Sequence, residues 1–214
     1  MATGATLLLG SGAMAAQASA ATLFANKACY VNDNPAQGAP MLITGTGFTP
    51  GDTVDLSGGT VFAKSTVQSN GTIAWTAAAP LLTTIDPASE TTTLTADDET
   101  VGANVASGAV QSANLAVATS KGQVQNVHKD KVKFSFSGFS PGKSIYGFYA
   151  RTKIVAKTNF GKAKGACGML TKRALLFPGG HPRNNSYKVT FESRSKYSKK
   201  ANPRLTAKLK IFRF

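Results

Sequence analysis

The chain has 214 residues, with 24 Lys and Arg against 10 Asp and Glu, and a formal net charge of +14. Two His and two Cys leave little material for a metal cluster, and there is no zinc-ligand spacing, no H-E-x-x-H, no G-x-S-x-G and no phosphate-cradling loop. Thr, Ser, Ala, Val and Gly dominate without a 3.6-residue apolar period, which excludes a helical protein and points to an all-β chain.

The charge is divided along the chain. Residues 1–118 hold Lys27 and Lys64 against eight acids, or −6, whereas the remainder holds 22 Lys and Arg against Asp130 and Glu192, or +20. Such asymmetry bears on partners and surface association rather than on fold.

"MATGATLLLGSGAMAAQASA" has an apolar centre at Leu7–Leu9 and ends in Ala18-Ser19-Ala20, an A-x-A cleavage pattern. It predicts a signal peptide over 1–20 with the mature chain starting at Ala21, although no Lys or Arg precedes Lys27. The segment is too short and too interrupted by Gly and Ser for a membrane span, and no later stretch is apolar enough for one.

"KACYV" reads as a first short strand and "MLITGTGF" as the second, leading into "GFTPGDTV" at 47–54. Pro50 fixes φ and Gly51 supplies the positive φ of a type II turn. The same pattern returns as "GFSPGKSI" at 138–145, with Lys143 in the place of Asp52. Asn70-Gly71 signals a type I′ hairpin between "TVFAKSTVQ" and "TIAWTAAAP", with Trp75 and Ile73 on one buried face. "TTTLTAD" and "SANLAVAT" read as strands, and the small-residue run "VGANVASGAVQS" as a loop or edge between them.

Alternation is cleaner in the basic half. Val132, Phe134 and Phe136 alternate with Lys131, Lys133 and Ser135; Tyr187, Val189 and Phe191 form a second apolar face; Leu205, Ala207, Leu209 and Ile211 form a third. The spacing of the two turns and the charge inversion predict two β-sandwiches, an acidic one over 21–119 and a basic one over 120–214, split at roughly 118–124 and folding independently.

Tandem strands around a G-F-x-P-G turn resemble the Ig-like or filamin-like sandwich modules of exported bacterial proteins. The run "FSGFSPGKSIYGFYARTKIVAKTNFGKAKGACGML" through "YKVTFESRSKYS" resembles a module of secreted bacterial proteins of undefined function. The resemblance covers nearly all of residues 25–214. It implies a tandem Ig-like β-sandwich fold and an extracellular setting, and carries over no catalytic residue.

Cys29 and Cys167 fall one in each half. A bridge between them would close a long loop and contribute roughly 4–5 kcal/mol. Geometry weighs against it: Cys29 starts the first half, at the pole expected to lie opposite the linker, and a strand of about seven residues already spans about 23 Å. Cys167 is then expected to be a packed apolar side chain at a strand start. As a thiol its only catalytic use is a Cys-His dyad with His181, for which domain two offers few carboxylates; His128 is the other His. Asp97-Asp98-Glu99 suits a solvated turn better than a calcium loop, since no EF-hand pattern accompanies it. No enzyme, cofactor or metal is expected.

What remains is charge. Lys131, Lys133, Lys208 and Lys210 on alternating strand positions, with Arg194, Lys196, Lys199, Lys200 and Arg204 in or beside the loop "RSKYSKKANPR", are expected to make one strongly positive surface. Tyr146, Phe148, Tyr149 and Tyr197 are interleaved with them, and alternation assigns most to the core rather than to base stacking. The expectation is an exported, non-catalytic envelope or extracellular module, secreted or envelope-associated, attached by its basic domain to an anionic envelope polymer. A polyanion or nucleic-acid binder is the alternative, without sequence-specific reading. The plain reading of the same lysines is a solvated face that blocks edge pairing.

Overall fold

The structure, a computed structural model, describes residues 20–100, 103–120, 129–179, 182 and 185–211. The expected signal peptide, except Ala20, lies outside them, as do Lys121, His128 and His181. The described residues are all-β, fifteen strands in four sheets without a helix.

In the acidic half, β1 (Thr22–Ala25), β3 (Pro40–Thr46) and β6 (Thr72–Ala78) form one sheet in the order β1-β3-β6. It packs on a second sheet in the order β2-β8-β7-β4-β5: β2 (Tyr30–Asn32), β8 (Ala103–Asn114), β7 (Ser89–Asp98), β4 (Thr53–Gly58) and β5 (Val61–Thr66). Met41, Ile43, Ile73, Trp75, Val54, Leu56, Leu94 and Val110 fill the space between them. Trp75 is buried beside Ile73, as its alternation requires, and its indole N–H donates to the Val54 carbonyl at 3.3 Å.

β1 and most of β8 were not legible as strands. β8 is twelve residues of Ala, Ser, Gly, Val, Gln and Asn at the interior of its sheet, not a loop. Small side chains are needed there because β1 lies across it: a Cβ on Gly108 would stand 3.1 Å from the Leu23 Cβ. The expected Asn70-Gly71 hairpin is instead a turn between sheets, since β5 pairs with β4 and β6 with β3, and its turn type differs as well. Gly71 N–H bonds to the Gln68 carbonyl, and only Gly71 (φ +75°) takes positive φ, since no described non-glycine residue does. That is a type I turn closed by a glycine bulge rather than type I′.

In the basic half, β9 (Ala116–Thr119), β10 (Lys131–Ser137) and β13 (Leu170–Leu175) form a sheet ordered β13-β10-β9. It faces a sheet ordered β12-β11-β14-β15, made of β11 (Ser144–Ala150), β12 (Ile154–Lys162), β14 (Asn185–Glu192) and β15 (Arg204–Ile211). Val132, Phe134, Phe136, Ile145, Tyr149, Phe160, Tyr187, Val189, Phe191 and Ile211 form the second core. The charge split places β9 in the acidic half; instead it pairs with β10, and Leu115 and Val117 pack on the second core, so the chain passes from one core to the other at Asn114–Leu115.

The two Pro-Gly turns are built alike. In the first, Asp52 N–H donates to Thr49, Gly51 to Val67, and Val67 back to Asp52; in the second, Lys143 donates to Ser140, Gly142 to Ala163, and Ala163 back to Lys143. Gly51 (φ +87°) and Gly142 (φ +73°) sit at the type II position. Both buried Phe rings drop into a core, Phe48 edge-on to Trp75 and Phe139 edge-on to Phe136.

Cys29 and Cys167 form a disulfide with Cα atoms 5.3 Å apart, contrary to the sequence expectation. The expectation misplaced Cys29. β2 runs parallel to the last residues of β8, with Tyr30 opposite Ser112 and Asn32 opposite Asn114, so Cys29 lies at the linker pole. Cys167 sits in the turn between β12 and β13, and its carbonyl accepts the Gly138 N–H just beyond the end of β10, at the same pole. Around the bridge, Leu115 N–H donates to the Asn32 carbonyl at 2.8 Å and the Ser137 hydroxyl to the Asn114 carbonyl at 2.6 Å. Gly138 has no room for a side chain, since a Cβ would meet Val31 at 2.7 Å and the Leu115 Cα at 2.8 Å.

Candidate functional site

A β-sheet places alternate residues on opposite faces, so the core positions fix where the charges go. On the four-stranded sheet of the basic half, Tyr149, Val189, Tyr187, Phe191 and Ile211 point inward. Their alternates face out: Tyr146 and Phe148 on β11, Lys157, Asn159 and Lys162 on β12, Ser186, Lys188, Thr190 and Glu192 on β14, Arg204, Thr206, Lys208 and Lys210 on β15.

Residues 193–203, carrying Arg194, Lys196, Lys199 and Lys200, link β14 to β15 and fold back onto this outer face. Tyr197 meets Phe148 edge-on at 5.7 Å; Arg204 lies over the Tyr197 ring at 5.4 Å and donates to its hydroxyl at 2.8 Å. Lys157 lies over Tyr146 at 4.6 Å and hydrogen-bonds the Ser195 carbonyl. Glu192, wholly buried beneath, accepts the Ser198 N–H at 2.9 Å through Oε1, while its Oε2 has no partner. Burial raises its carboxyl above the ordinary range, opposed by the Ser198 N–H and by the Arg204 and Arg194 charges.

The expected nine-residue surface therefore divides. Arg194, Lys196, Lys199, Lys200, Arg204, Lys208 and Lys210 belong to this face and its loop, whereas Lys131 and Lys133 lie on the outer face of the three-stranded sheet. The two outer faces point away from each other, because the inner faces share one core. The division could not be read from alternation, which gives the face of each strand but not which sheet it joins. Lys157, Lys162 and Lys188 join the first face, and Arg173 stands opposite Lys133 on the second, whereas Lys172, opposite Phe134, lies on the other side of its edge strand. Their places depend on strand pairing, which alternation alone does not give. Of the interleaved aromatics only Tyr149 is core proper; Phe148 is buried on the outer face beneath Tyr197.

Like charges stand directly opposite across strands, Lys188 with Lys208 on one face and Lys133 with Arg173 on the other. Such pairs are destabilising. In the acidic half the corresponding pair, Asp55 opposite Asp97, has a remedy: Lys64 bridges Asp55 at 3.6 Å and also Glu99. On the outer face of the four-stranded sheet the one carboxylate among the described residues is Glu192, and it is enclosed. Replacing Lys208 by Thr should therefore raise stability by ~0.2–1 kcal/mol in the absence of polyanion. Urea unfolding at low and high salt checks this, with the gain shrinking as salt rises.

The other sites considered from sequence are placed as follows. Cys167 is oxidised in the bridge and so offers no thiol to a dyad. Asp98 is buried and accepts the Thr100 N–H at 2.8 Å; among the described residues no three His, Cys, Asp or Glu are grouped to hold a metal. Partial burial and the neighbouring Asp98 raise the Asp52 carboxyl above its ordinary value. No helix among the described residues is long and apolar enough to cross a membrane.

No family model and no curated protein matches the chain. Among solved structures it is similar to one described as a tetra-tandem repeat in the extending region of a large adhesion protein, at 16% identity and a TM-score of 0.30. The match covers 88% of this chain and 47% of that one, so the chain spans about half the length of the structure it resembles.

Proposed function

We propose that this chain is an exported, non-catalytic binding module that attaches to a linear anionic polymer of the cell envelope or extracellular matrix through the basic sandwich. The observation that carries the reading is the outer face of the β12-β11-β14-β15 sheet. Among the described residues its cations have no exposed Asp or Glu between them, and the one carboxylate there is sealed under the loop. Export is supported by the A-x-A pattern at Ala18–Ala20 and by the Cys29–Cys167 bridge, since disulfides persist in oxidising compartments. Recognition is by charge rather than by stacking, because the Tyr197 ring is engaged by Phe148 and Arg204.

The test uses the full chain on immobilised heparin at low salt. Retention is expected, with earlier elution when the exposed Lys196, Lys199 and Lys200 are replaced by Ser, and no loss when Asp33 and Asp86 are replaced by Asn. Failure to be retained, or elution unaffected by the loop changes, contradicts the reading.

A further inference from the structure

We infer that the basic sandwich is bivalent, holding anionic polymer on two opposite faces and so bridging two polymer strands. The inference rests on the reading above and adds valency to it. One face is centred on Lys188 and Lys208, the other on Lys133 and Arg173. Directly opposed residues of an antiparallel pair have Cβ atoms about 4.5–5.5 Å apart, so each pair concentrates two cations beside one point of a passing chain. Lys210 extends the first row and Lys131 the second by two residues along a strand, about 7 Å.

Both faces are wet, with Lys131, Lys133, Arg173, Lys188 and Lys208 all exposed. Between them lies a closed core in which Phe134 and Phe136 from one sheet meet Phe160 and Phe191 from the other, at centroid distances of 4.8 to 5.5 Å. A bound strand therefore cannot reach both faces without passing round the sandwich. The contrast with the acidic half matters here. There Lys64 neutralises Asp55 and Glu99 within the sheet, whereas among the described residues Lys188 and Lys208 have no exposed carboxylate beside them.

Titration of the full chain with a heparin hexasaccharide, too short to reach round the sandwich, should give two sites per chain. Lys188→Thr/Lys208→Thr should leave one site, and so should Lys133→Thr/Arg173→Thr; circular dichroism confirms that each variant is folded. Long-chain heparin should drive light-scattering clusters of wild type near charge equivalence that neither double variant forms. One hexasaccharide site in wild type, or clustering undiminished in both variants, overturns bivalency while leaving attachment intact. No hexasaccharide or heparin binding at all removes the attachment reading as well. Preference for single-stranded oligothymidylate over heparin of matched charge would overturn the choice of polymer.

Discussion

Opening the Cys29–Cys167 bridge is expected to uncouple the two halves of the molecule. The cysteines are 138 residues apart, and a loop of that length is worth roughly 5 kcal/mol in the chain-entropy model. Each half has its own core, and once the bridge is gone the junction keeps the Leu115–Asn32 and Ser137–Asn114 hydrogen bonds, each worth about 1 kcal/mol net. Such bonds cannot replace the bridge. The oxidised chain should unfold at higher denaturant, with Trp75 fluorescence, which reports the acidic half, and Tyr absorbance, weighted to the basic half, moving together. A Cys29→Ser/Cys167→Ser chain should show two separated transitions. Identical midpoints in the two chains would mean that the bridge contributes nothing.

Phe136→Ala should be the costliest single substitution in the basic half. The ring contacts Phe134, Phe139, Phe160 and Phe191 at centroid distances of 6.0, 5.8, 4.9 and 5.5 Å, and is 1% exposed. Its loss removes apolar burial and leaves a cavity walled by rigid rings, at a cost of about 3–5 kcal/mol. Phe62, 80% exposed on the edge strand β5, is the control, and its replacement by Ala should stay within about 0.5 kcal/mol. Urea titration of both variants checks the contrast; a Phe136→Ala loss below about 1 kcal/mol would mean that the second core is not organised around that ring.

The parts legible in sequence were those with period-2 contrast or turn chemistry. Val132, Phe134 and Phe136 against Lys131 and Lys133, and the Leu205–Ile211 strand, reveal their inner faces because one side is greasy and the other charged. Pro50-Gly51 and Pro141-Gly142 fix a backbone shape locally. β8 defied the same reasoning because β1, packed across it from the facing sheet, demands small residues, which removes the contrast that marks a strand. The disulfide was missed for a topological reason. The parallel pairing of β2 with the end of β8 is a contact between distant residues, and no local pattern shows it. The candidate site was half legible: the loop cations and Lys208 and Lys210 belong together, but the loop's fold over Tyr146 and Phe148, the enclosure of Glu192, and the placement of Lys131 and Lys133 on the far face depend on sheet order.

The salt dependence of heparin binding by the intact, oxidised chain tests the central claim most directly. If about six anionic groups are engaged, affinity should fall roughly a thousandfold between about 50 and 200 mM salt, by analogy with counterion release from phosphate polymers. The slope should drop when Lys196, Lys199 and Lys200 are replaced by Ser. Binding that is indifferent to salt, or absent at the lowest salt, would contradict an electrostatic attachment and leave these lysines as a solvated surface.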